Sequence, residues 1–236
     1  MNRSLSLLLG VALLIVGISL PCYADTIVFS DNFNDGNANG WIYASRDGRQ
    51  LDPTSGWSVV DGRLLENSGW DAQFALVNNL SLSSQTLQVQ ADILGSSGWG
   101  GITLWYKDLN NFIDIGSYAN GAAIYVGEYV NGIAYSSTYT NTSGELPLSG
   151  FKAVANSSTG KIDFYVGGVY VFTYTAQTYS RTGLSGVLAG NNGAYFDNFM
   201  VTSNTCPAPV PEPGTMLLLG SGLAGLVGYG RRRLKK

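Results

Sequence analysis

The sequence predicts an all-β protein, an antiparallel β-sandwich, and three observations support that prediction. Gly accounts for 31 and Tyr for 14 of the 236 residues, while only 12% of the residues are charged, a composition that favours strands and turns over helices. Short runs rich in Val, Ile, Tyr, Phe and Thr recur between Gly, Asn and Ser clusters from Asp25 to about Thr202. No stretch between these limits shows helical periodicity. A chain of this length suits one domain with a sizeable core.

The first 24 residues are predicted to be a secretory signal peptide that forms a helix. Arg3 supplies positive charge, Leu5 to Leu20 form the apolar stretch, and a proline ends it shortly before Ala24, where we expect cleavage. A lipoprotein signal at Cys22 is the alternative, but the preceding proline fits it poorly. Cleavage at Ala24 leaves Cys206 as the one thiol, a bystander or a site of intermolecular pairing, so no internal disulfide can form.

The last 23 residues, 214–236, are predicted to hold a short transmembrane helix and a basic tail. Thr215 to Gly230 is a run of 16 uncharged residues. As a helix it covers about 24 Å, slightly less than the roughly 30 Å of bilayer hydrocarbon. Arg231, Arg232 and Arg233 follow directly. Because basic residues are retained on the cytoplasmic side, we expect the rest of the chain to face away from the cytoplasm.

A Pro-rich linker at 204–213 precedes this segment and contains Pro211, Glu212 and Pro213. The order of Pro-Glu-Pro, short Gly/Leu-rich apolar run and terminal Arg cluster closely resembles the bacterial PEP-CTERM sorting signal. The resemblance implies an exosortase-type processing enzyme as partner, a transient stay in the inner membrane, and transfer to the cell envelope or extracellular polymer. An ordinary C-terminal anchor would explain the apolar run and the basic end, but not the Pro-Glu-Pro.

Two hairpins are predicted from short turn signals. In "KIDFYVGGVYVFTY" the turn at Gly167 and Gly168 would place Val166 opposite Val169, Tyr165 opposite Tyr170, and Phe164 opposite Val171. In the second hairpin, Asn131 and Gly132 form the turn, with Glu128 opposite Tyr135 and Tyr129 opposite Ala134. Strand alternation then divides the first hairpin into an expected core face (Ile162, Phe164, Val166, Val169, Val171) and a second face (Tyr165, Tyr170, Phe172, Tyr174, Lys161, Asp163).

Several segments of residues 25–203 resemble the laminin-G-like, or concanavalin A-like, jelly-roll domains of exported bacterial proteins. The opening "FSDNFNDGNANGW" and "GWSVVDGRLLE", the strand-turn-strand "GITLWYKDLNNFIDI" and the closing "RTGLSGVLAGNNGAYFDNFMV" occur in the expected order. The resemblance implies a jelly-roll sandwich. That architecture serves lectins, glycan-binding modules, glycosidases and structural domains, so it does not by itself choose a function.

Composition excludes several classes of function. The chain has no histidine, which removes the usual general base and the commonest transition-metal ligand. Setting aside Arg3 and the five basic residues at the C-terminus, 7 basic residues stand against 16 acidic ones. Because the chain between its two basic ends is this acidic, it is expected to repel nucleic acid.

Aromatic residues on the second faces of strands are the candidate ligand-binding groups. Flat rings stack on the apolar faces of sugars while nearby polar groups bind the hydroxyls. The alternative is a structural role, in which these side chains pack beneath loops. The predicted platform for extracellular polysaccharide consists of Trp105, Tyr125, Tyr165 and Tyr170.

Calcium is the one cofactor that the sequence suggests, in a structural role. Asp35, Asn37 and Asn39 alternate before a glycine, as at the start of a calcium loop, but the twelfth position holds Arg46, so an EF-hand is rejected. The jelly-roll resemblance implies a calcium where the first and last strands meet, with Asp31 and Asp197 as carboxylate donors. The alternative is that Asp and Asn simply form Asx turns.

Glycoside hydrolysis requires two carboxyl groups that face each other across a cleft. No strand carries the alternating Glu, Asp, Glu pattern of the jelly-roll glucanases, although a pair drawn from Asp114, Glu128 and Asp163 is conceivable. We therefore predict no catalytic residues. The sequence favours an exported module that binds polysaccharide without cleaving it; the alternatives are a structural matrix protein without a defined ligand and, less favoured, a glycosidase.

Overall fold

The structure is a computed structural model that describes residues 25–46, 56–67, 72–80, 82, 86–95, 98–118, 123–140, 150–176, 181–190 and 193–204. The predicted signal peptide, sorting residues and C-terminal helix lie outside these ranges, as does the predicted linker apart from Asn204, which is the last residue of β15. Within them, no helix has the length and hydropathy needed to cross a bilayer. The described residues form fifteen strands: β1 (Thr26–Asp31), β2 (Trp41–Ser45), β3 (Trp57–Val60), β4 (Arg63–Glu66), β5 (Gln73–Val77), β6 (Thr86–Leu94), β7 (Trp99–Asp108), β8 (Asn111–Tyr118), β9 (Ala123–Val130), β10 (Ile133–Thr140), β11 (Phe151–Asn156), β12 (Lys161–Val166), β13 (Val169–Thr175), β14 (Leu184–Gly190) and β15 (Ala194–Asn204).

The strands form two antiparallel sheets, as the sequence predicts. Sheet I has the order β13-β12-β11-β6-β15-β4-β3. β4 pairs with the first part of the long strand β15, and β1 pairs with its last part. Sheet II has the order β10-β9-β8-β7-β14-β5-β2. The central strands β6 and β11 of sheet I contact β7 of sheet II, and β15 contacts β14. The two sheets therefore stack face to face as a sandwich.

The core between the sheets follows from strand alternation. In β6 every second residue is buried, namely Leu87, Val89, Ala91 and Ile93, and the residues between them are half-buried. Sheet II contributes residues of the same kind from its facing side, including Ile102, Leu104, Ile115, Val126 and Val187. The core is dominated by branched aliphatic and Phe side chains, which fit a pleated surface.

The hairpin at Asn131 and Gly132 confirms the predicted register. Glu128 pairs with Tyr135 and Tyr129 with Ala134, and β9 and β10 pair over eight positions without a shift. Both turn residues have positive φ, 52° and 80°, as a type I′ turn requires.

The hairpin at Gly167 and Gly168 confirms two predicted pairs and corrects the third. Val166 pairs with Val169 and Tyr165 with Tyr170, but Phe164 pairs with Phe172 because Val171 is an extra residue in a β-bulge. The bulge reverses the alternation beyond it. Phe172 is therefore buried in the core, and Tyr174 packs against the core. Val169, which was predicted to be a core residue, is 69% exposed beside the turn.

Candidate functional site

The two tyrosines of the β12–β13 hairpin lie side by side on the outer face of sheet I. Tyr165 and Tyr170 are directly opposite each other, with ring centroids 5.8 Å apart and planes at 72°. Tyr170 is 54% exposed. The tight glycine turn holds the two strands in register, so two rings are presented to solvent at the margin of a rigid sheet.

A chain of hydrogen bonds fixes the polarity of the Tyr170 hydroxyl. Thr173 donates its one hydroxyl proton to Asp163 Oδ1 at 2.5 Å. The contact of 2.9 Å between the Tyr170 and Thr173 hydroxyls must then have Tyr170 as donor. The Tyr170 oxygen is left with free lone pairs, so it can accept a hydrogen bond from a ligand hydroxyl.

Strand pairing extends this pair of tyrosines into a row across sheet I. Tyr165 lies opposite Lys152 of β11, and Lys152 lies opposite Gln90 of β6. The Lys152 ammonium nitrogen lies 4.6 Å from the centre of the Tyr165 ring, which is cation–π distance. We call Tyr170, Tyr165, Lys152 and Gln90 the tyrosine row. Alternation in "TLQVQADIL" and "FKAVAN" would have placed Gln90 and Lys152 on an outer face, but their positions beside Tyr165 depend on pairing of distant strands.

The four predicted ligand-binding aromatics do not share one groove, which corrects the sequence-based platform. Tyr165 and Tyr170 lie on sheet I, and their binding role stays a prediction. Tyr125 is 5% exposed on the outer face of sheet II, where its ring lies 4.5 Å from that of Tyr118. Burial and the nearby Asp114 raise the pKa of the Tyr125 hydroxyl well above its ordinary value.

Trp105 is 4% exposed and belongs to the core between the sheets. Simple alternation would turn it outward, but the register of β7 with β8 shifts between Leu104 and Asp108, and Trp105 has φ of 50°. Positive φ is rare for a bulky residue and here reverses the side of the strand. The bulge also requires a glycine nearby, since a Cβ on Gly183 would lie 2.6 Å from the Trp105 carbonyl carbon.

The three carboxyls considered for hydrolysis lie on three different surfaces. Asp163 is on the outer face of sheet I. Glu128 points from β9 towards the core, where its Oε2 accepts a 2.7 Å hydrogen bond from the Tyr174 hydroxyl. Asp114 is buried on the outer face of sheet II. No two of these groups can face one glycosidic bond.

Asp114 is a buried carboxyl with a strongly raised pKa. Burial raises its pKa to about 7, with Tyr125 and Arg46 acting in the opposite direction. Its cross-strand neighbours are Thr103 and Gly127, and a Cβ at Gly127 would lie 2.5 Å from Asp114 Oδ1. Glycine at 127 therefore makes the space that the carboxyl occupies. Among the described residues, Asp114 Oδ1 has no hydrogen-bond partner.

The predicted calcium donors lie at the end of β1, in the turn that follows it, and in β15. Asp31 accepts from the Phe33 amide and from the Trp41 indole, both at 2.8 Å, so it ties the end of β1 to β2. Asp35 Oδ1 accepts from the Asn37 amide, and Asn37 Oδ1 accepts from the Asn39 amide, which are Asx turns.

Asp197 lies opposite Asp92 in the β15–β6 pair, a neighbour that sequence reasoning missed, and its Oδ1 accepts from the Asn198 amide. Asp92 itself accepts from the Gly150 amide and the Asn198 side chain. Within the described ranges, no three His, Cys, Asp or Glu residues are gathered as metal ligands. Calcium binding therefore stays a prediction.

Comparison with known proteins supports the two halves of the sequence interpretation separately. Residues 209–233 match the PEP-CTERM protein-sorting motif, which confirms the predicted signal, indicates export with a membrane-anchored sorting segment, and implies exosortase processing. No curated protein sequence matches this chain.

The sandwich is similar to solved carbohydrate-active structures. Carbohydrate binding module CBM66 from Bacillus subtilis is 17% identical, with a TM-score of 0.53 over 70% of this chain and 96% of that one. An endo-β-1,3-glucanase from Pyrococcus furiosus is 13% identical, with a TM-score of 0.56 over 80% of this chain and 98% of that one. The catalytic domain of a laminarinase from Thermotoga petrophila is 11% identical, with a TM-score of 0.52 over 78% of this chain and 100% of that one. At such identities the likeness concerns the fold, and it confirms a sandwich of the jelly-roll kind.

Proposed function

We propose that this protein is an exported β-sandwich module that binds polysaccharide on the outer face of sheet I without cleaving it. The observation that carries the proposal is the tyrosine row. Two rings at its margin offer stacking surfaces, the Tyr170 oxygen accepts a hydrogen bond, and Lys152 and Gln90 donate. Similarity of the fold to a carbohydrate-binding module and to glucanases is consistent with a sugar polymer as ligand.

The row suits an extended polymer. Its four residues lie on four adjacent strands. At a strand spacing of about 4.8 Å they span roughly 14 Å perpendicular to the strands. A sugar chain lying across the strands would contact the rings first and then the cation and the amide. Because the face is formed by paired strands, little ordering is needed on binding, which favours affinity.

The positions of the three candidate carboxyls support binding without hydrolysis. Both retaining and inverting hydrolysis need two carboxyls on opposite sides of one bond. Of these three carboxyls only Asp163 lies near the row, and it already accepts a hydrogen bond from the Thr173 hydroxyl. Asp114 and Glu128 lie on the outer face of sheet II and in the core.

The test is affinity gel electrophoresis of the exported protein against a panel of soluble polysaccharides. We expect at least one polymer to retard the protein, and the Tyr165→Ala/Tyr170→Ala double variant to bind it about tenfold more weakly or worse, the loss of roughly 1.4 kcal/mol or more from two stacking rings. Neither side chain supports the core, so the melting temperature should change little.

Tyr135→Ala is the matched control, because Tyr135 is also exposed, at 41%, but lies on β10 outside the row. Full retention of this variant is expected. Failure of every polymer to retard the wild-type protein would leave the structural matrix protein as the better description. Release of reducing sugar from any polymer would contradict binding without cleavage and support the glycosidase.

Calcium at the junction of the first and last strands and final placement in the envelope or extracellular polymer are further parts of the proposal. Removal of the C-terminal segment near Pro211 to Pro213 would release the module from the inner membrane. A permanent C-terminal anchor is the alternative and would hold the same module at the membrane surface.

A further inference from the structure

The edge strands of the two sheets differ in how well they are protected against pairing with a strand of another molecule. Among the described strands, β1, β2, β3, β10 and β13 each have one side without a paired neighbour. Such sides present unpaired amides and carbonyls that can template pairing with another strand. Proteins limit this with short strands, bulges, charges or covering side chains.

Four of the five strands carry at least one of these protections. β2 and β3 have five and four residues, and Tyr43 of β2 stacks on Trp57 of β3, with ring centroids 6.0 Å apart. β1 has a register shift between Ile27 and Phe29. β13 is bulged at Val171. Each of these features shortens or bends the margin available for pairing.

β10 is neither short nor bulged. It spans eight residues, Ile133–Thr140, and pairs with β9 over its full length without a bulge. Its sequence, IAYSSTYT, contains no charge, proline or glycine. Tyr, Thr and Ile favour strands. Ile133 is 60% exposed, so an apolar side chain marks the start of this free margin.

We infer that β10 is a self-association surface, where β10 of a second copy of this chain adds antiparallel to it and joins two copies of sheet II into one continuous sheet. A second copy matches in length, because identical eight-residue strands satisfy each other along their whole margins. It also fits in charge: charged residues on β10 would face like charges on an identical strand, and β10 is neutral over all eight residues. A twofold axis between the two β10 strands gives a closed dimer rather than an open fibre.

The test is disulfide self-crosslinking of the full chain in cells. Single cysteines are introduced at successive positions from 134 to 139 in a Cys206→Ser background, and dimers are counted on non-reducing gels after oxidation. Near the twofold axis the two equivalent residues lie within disulfide distance. Each step of one residue away from the axis separates them by about 7 Å more, since both strands move in opposite directions. We therefore expect one maximum with a steep fall on both sides.

Thr173→Cys on β13 and Ser58→Cys on β3 are matched controls on other margins, and they should remain monomeric. A Ser→Lys change beside the best cysteine, such as Ser137→Lys with Ser136→Cys, should reduce crosslinking at least tenfold, because the two equivalent lysines then lie near the twofold axis and their like charges approach each other across the strand pair. Protease resistance of the monomer reports that this variant still folds.

Three results would overturn the inference: dimer yield at β10 no greater than at Ser58→Cys, equal yield at all positions, or a product whose mass is not twice that of the chain. The last outcome would indicate a different partner on β10. Glycan retention is measured separately, so failure of the dimer leaves the tyrosine row untouched.

Discussion

The outer faces of the two sheets differ in burial and polarity. Sheet I keeps half-buried polar and aromatic groups on its outer side, including Gln88, Gln90, Lys152, Asp163 and Tyr165. Sheet II buries its outer side with a second apolar cluster, which includes Phe74, Leu76, Tyr106, Phe112 and Leu188. A sheet that faces solvent on one side can offer a binding surface directly. Sheet II instead has a buried carboxyl, that of Asp114, on its outer side.

The sequence pattern reflects this difference. β6 alternates buried and half-buried residues, while β5 is buried at all five positions and β14 at six of seven. Strict alternation is typical of a sheet with one solvated face, and continuous burial is typical of a strand covered on both sides. The comparison predicts that polar changes on sheet II affect stability strongly and those on sheet I only weakly.

The largest effect is expected from the buried carboxyl of sheet II. The pKa of Asp114 is raised from 3.8 to about 7, so the folded state holds its proton more tightly than the unfolded state does. The stability contributed by the neutral form is complete below about pH 4 and is lost as pH rises to 7. A shift of about three pKa units corresponds to at most about 4 kcal/mol.

Urea unfolding of the wild type and of Asp114→Asn between pH 4 and pH 8 measures this loss. Asn keeps the shape and remains neutral, so its stability should exceed that of the wild type at pH 8 and match it at pH 4. Parallel pH profiles of the two proteins would show that Asp114 does not titrate in this way, and the contrast between the two sheets would lose its electrostatic part.

A smaller effect, about 2 kcal/mol, is expected for Gly127→Ala on the same face. The added Cβ would lie 2.5 Å from Asp114 Oδ1 and 3.1 Å from its Cγ, so the carboxyl must move. Unfolding of Gly127→Ala in an Asp114→Ala background separates this clash from any effect of the backbone. There the substitution should be neutral or stabilising, since Ala loses less entropy than Gly on folding. An equal cost in both backgrounds would refute the clash.

The smallest effect on stability, within about 0.5 kcal/mol, is expected for Thr173→Val on sheet I, because the residue is exposed and Val suits a strand. Polysaccharide retention should nevertheless weaken three- to tenfold, since Tyr170 loses the partner that orients its hydroxyl. Thermal melting and affinity electrophoresis on the same samples check both parts. A large drop in melting temperature would show that the outer face of sheet I is not the tolerant one.

Local sequence signals predicted much of the fold and part of the candidate site. Glycine and Asn-Gly turns, followed by alternating residues, predicted both hairpins and the opposition of Tyr165 and Tyr170. The errors arose where one extra residue reversed the alternation. The bulge at Val171 turned Phe172 inward, and the one at Trp105 put a predicted ligand-binding ring into the core. A bulge depends on how a strand matches its neighbour, which a single strand does not encode.

The sequence by itself determined the sorting signal at the C-terminus, the strand-rich character of the middle and the absence of histidine chemistry, because these are properties of composition and of residues close together in the chain. Only the tertiary structure decided that Lys152 and Gln90 stand beside Tyr165, that Asp114 and Glu128 lie on different surfaces, and that β10 is the outermost described strand of sheet II. Those facts depend on which distant strands pair and in what register. Burial of the whole core selects that pairing, since a slip of one residue would turn every side chain of a strand to the wrong face.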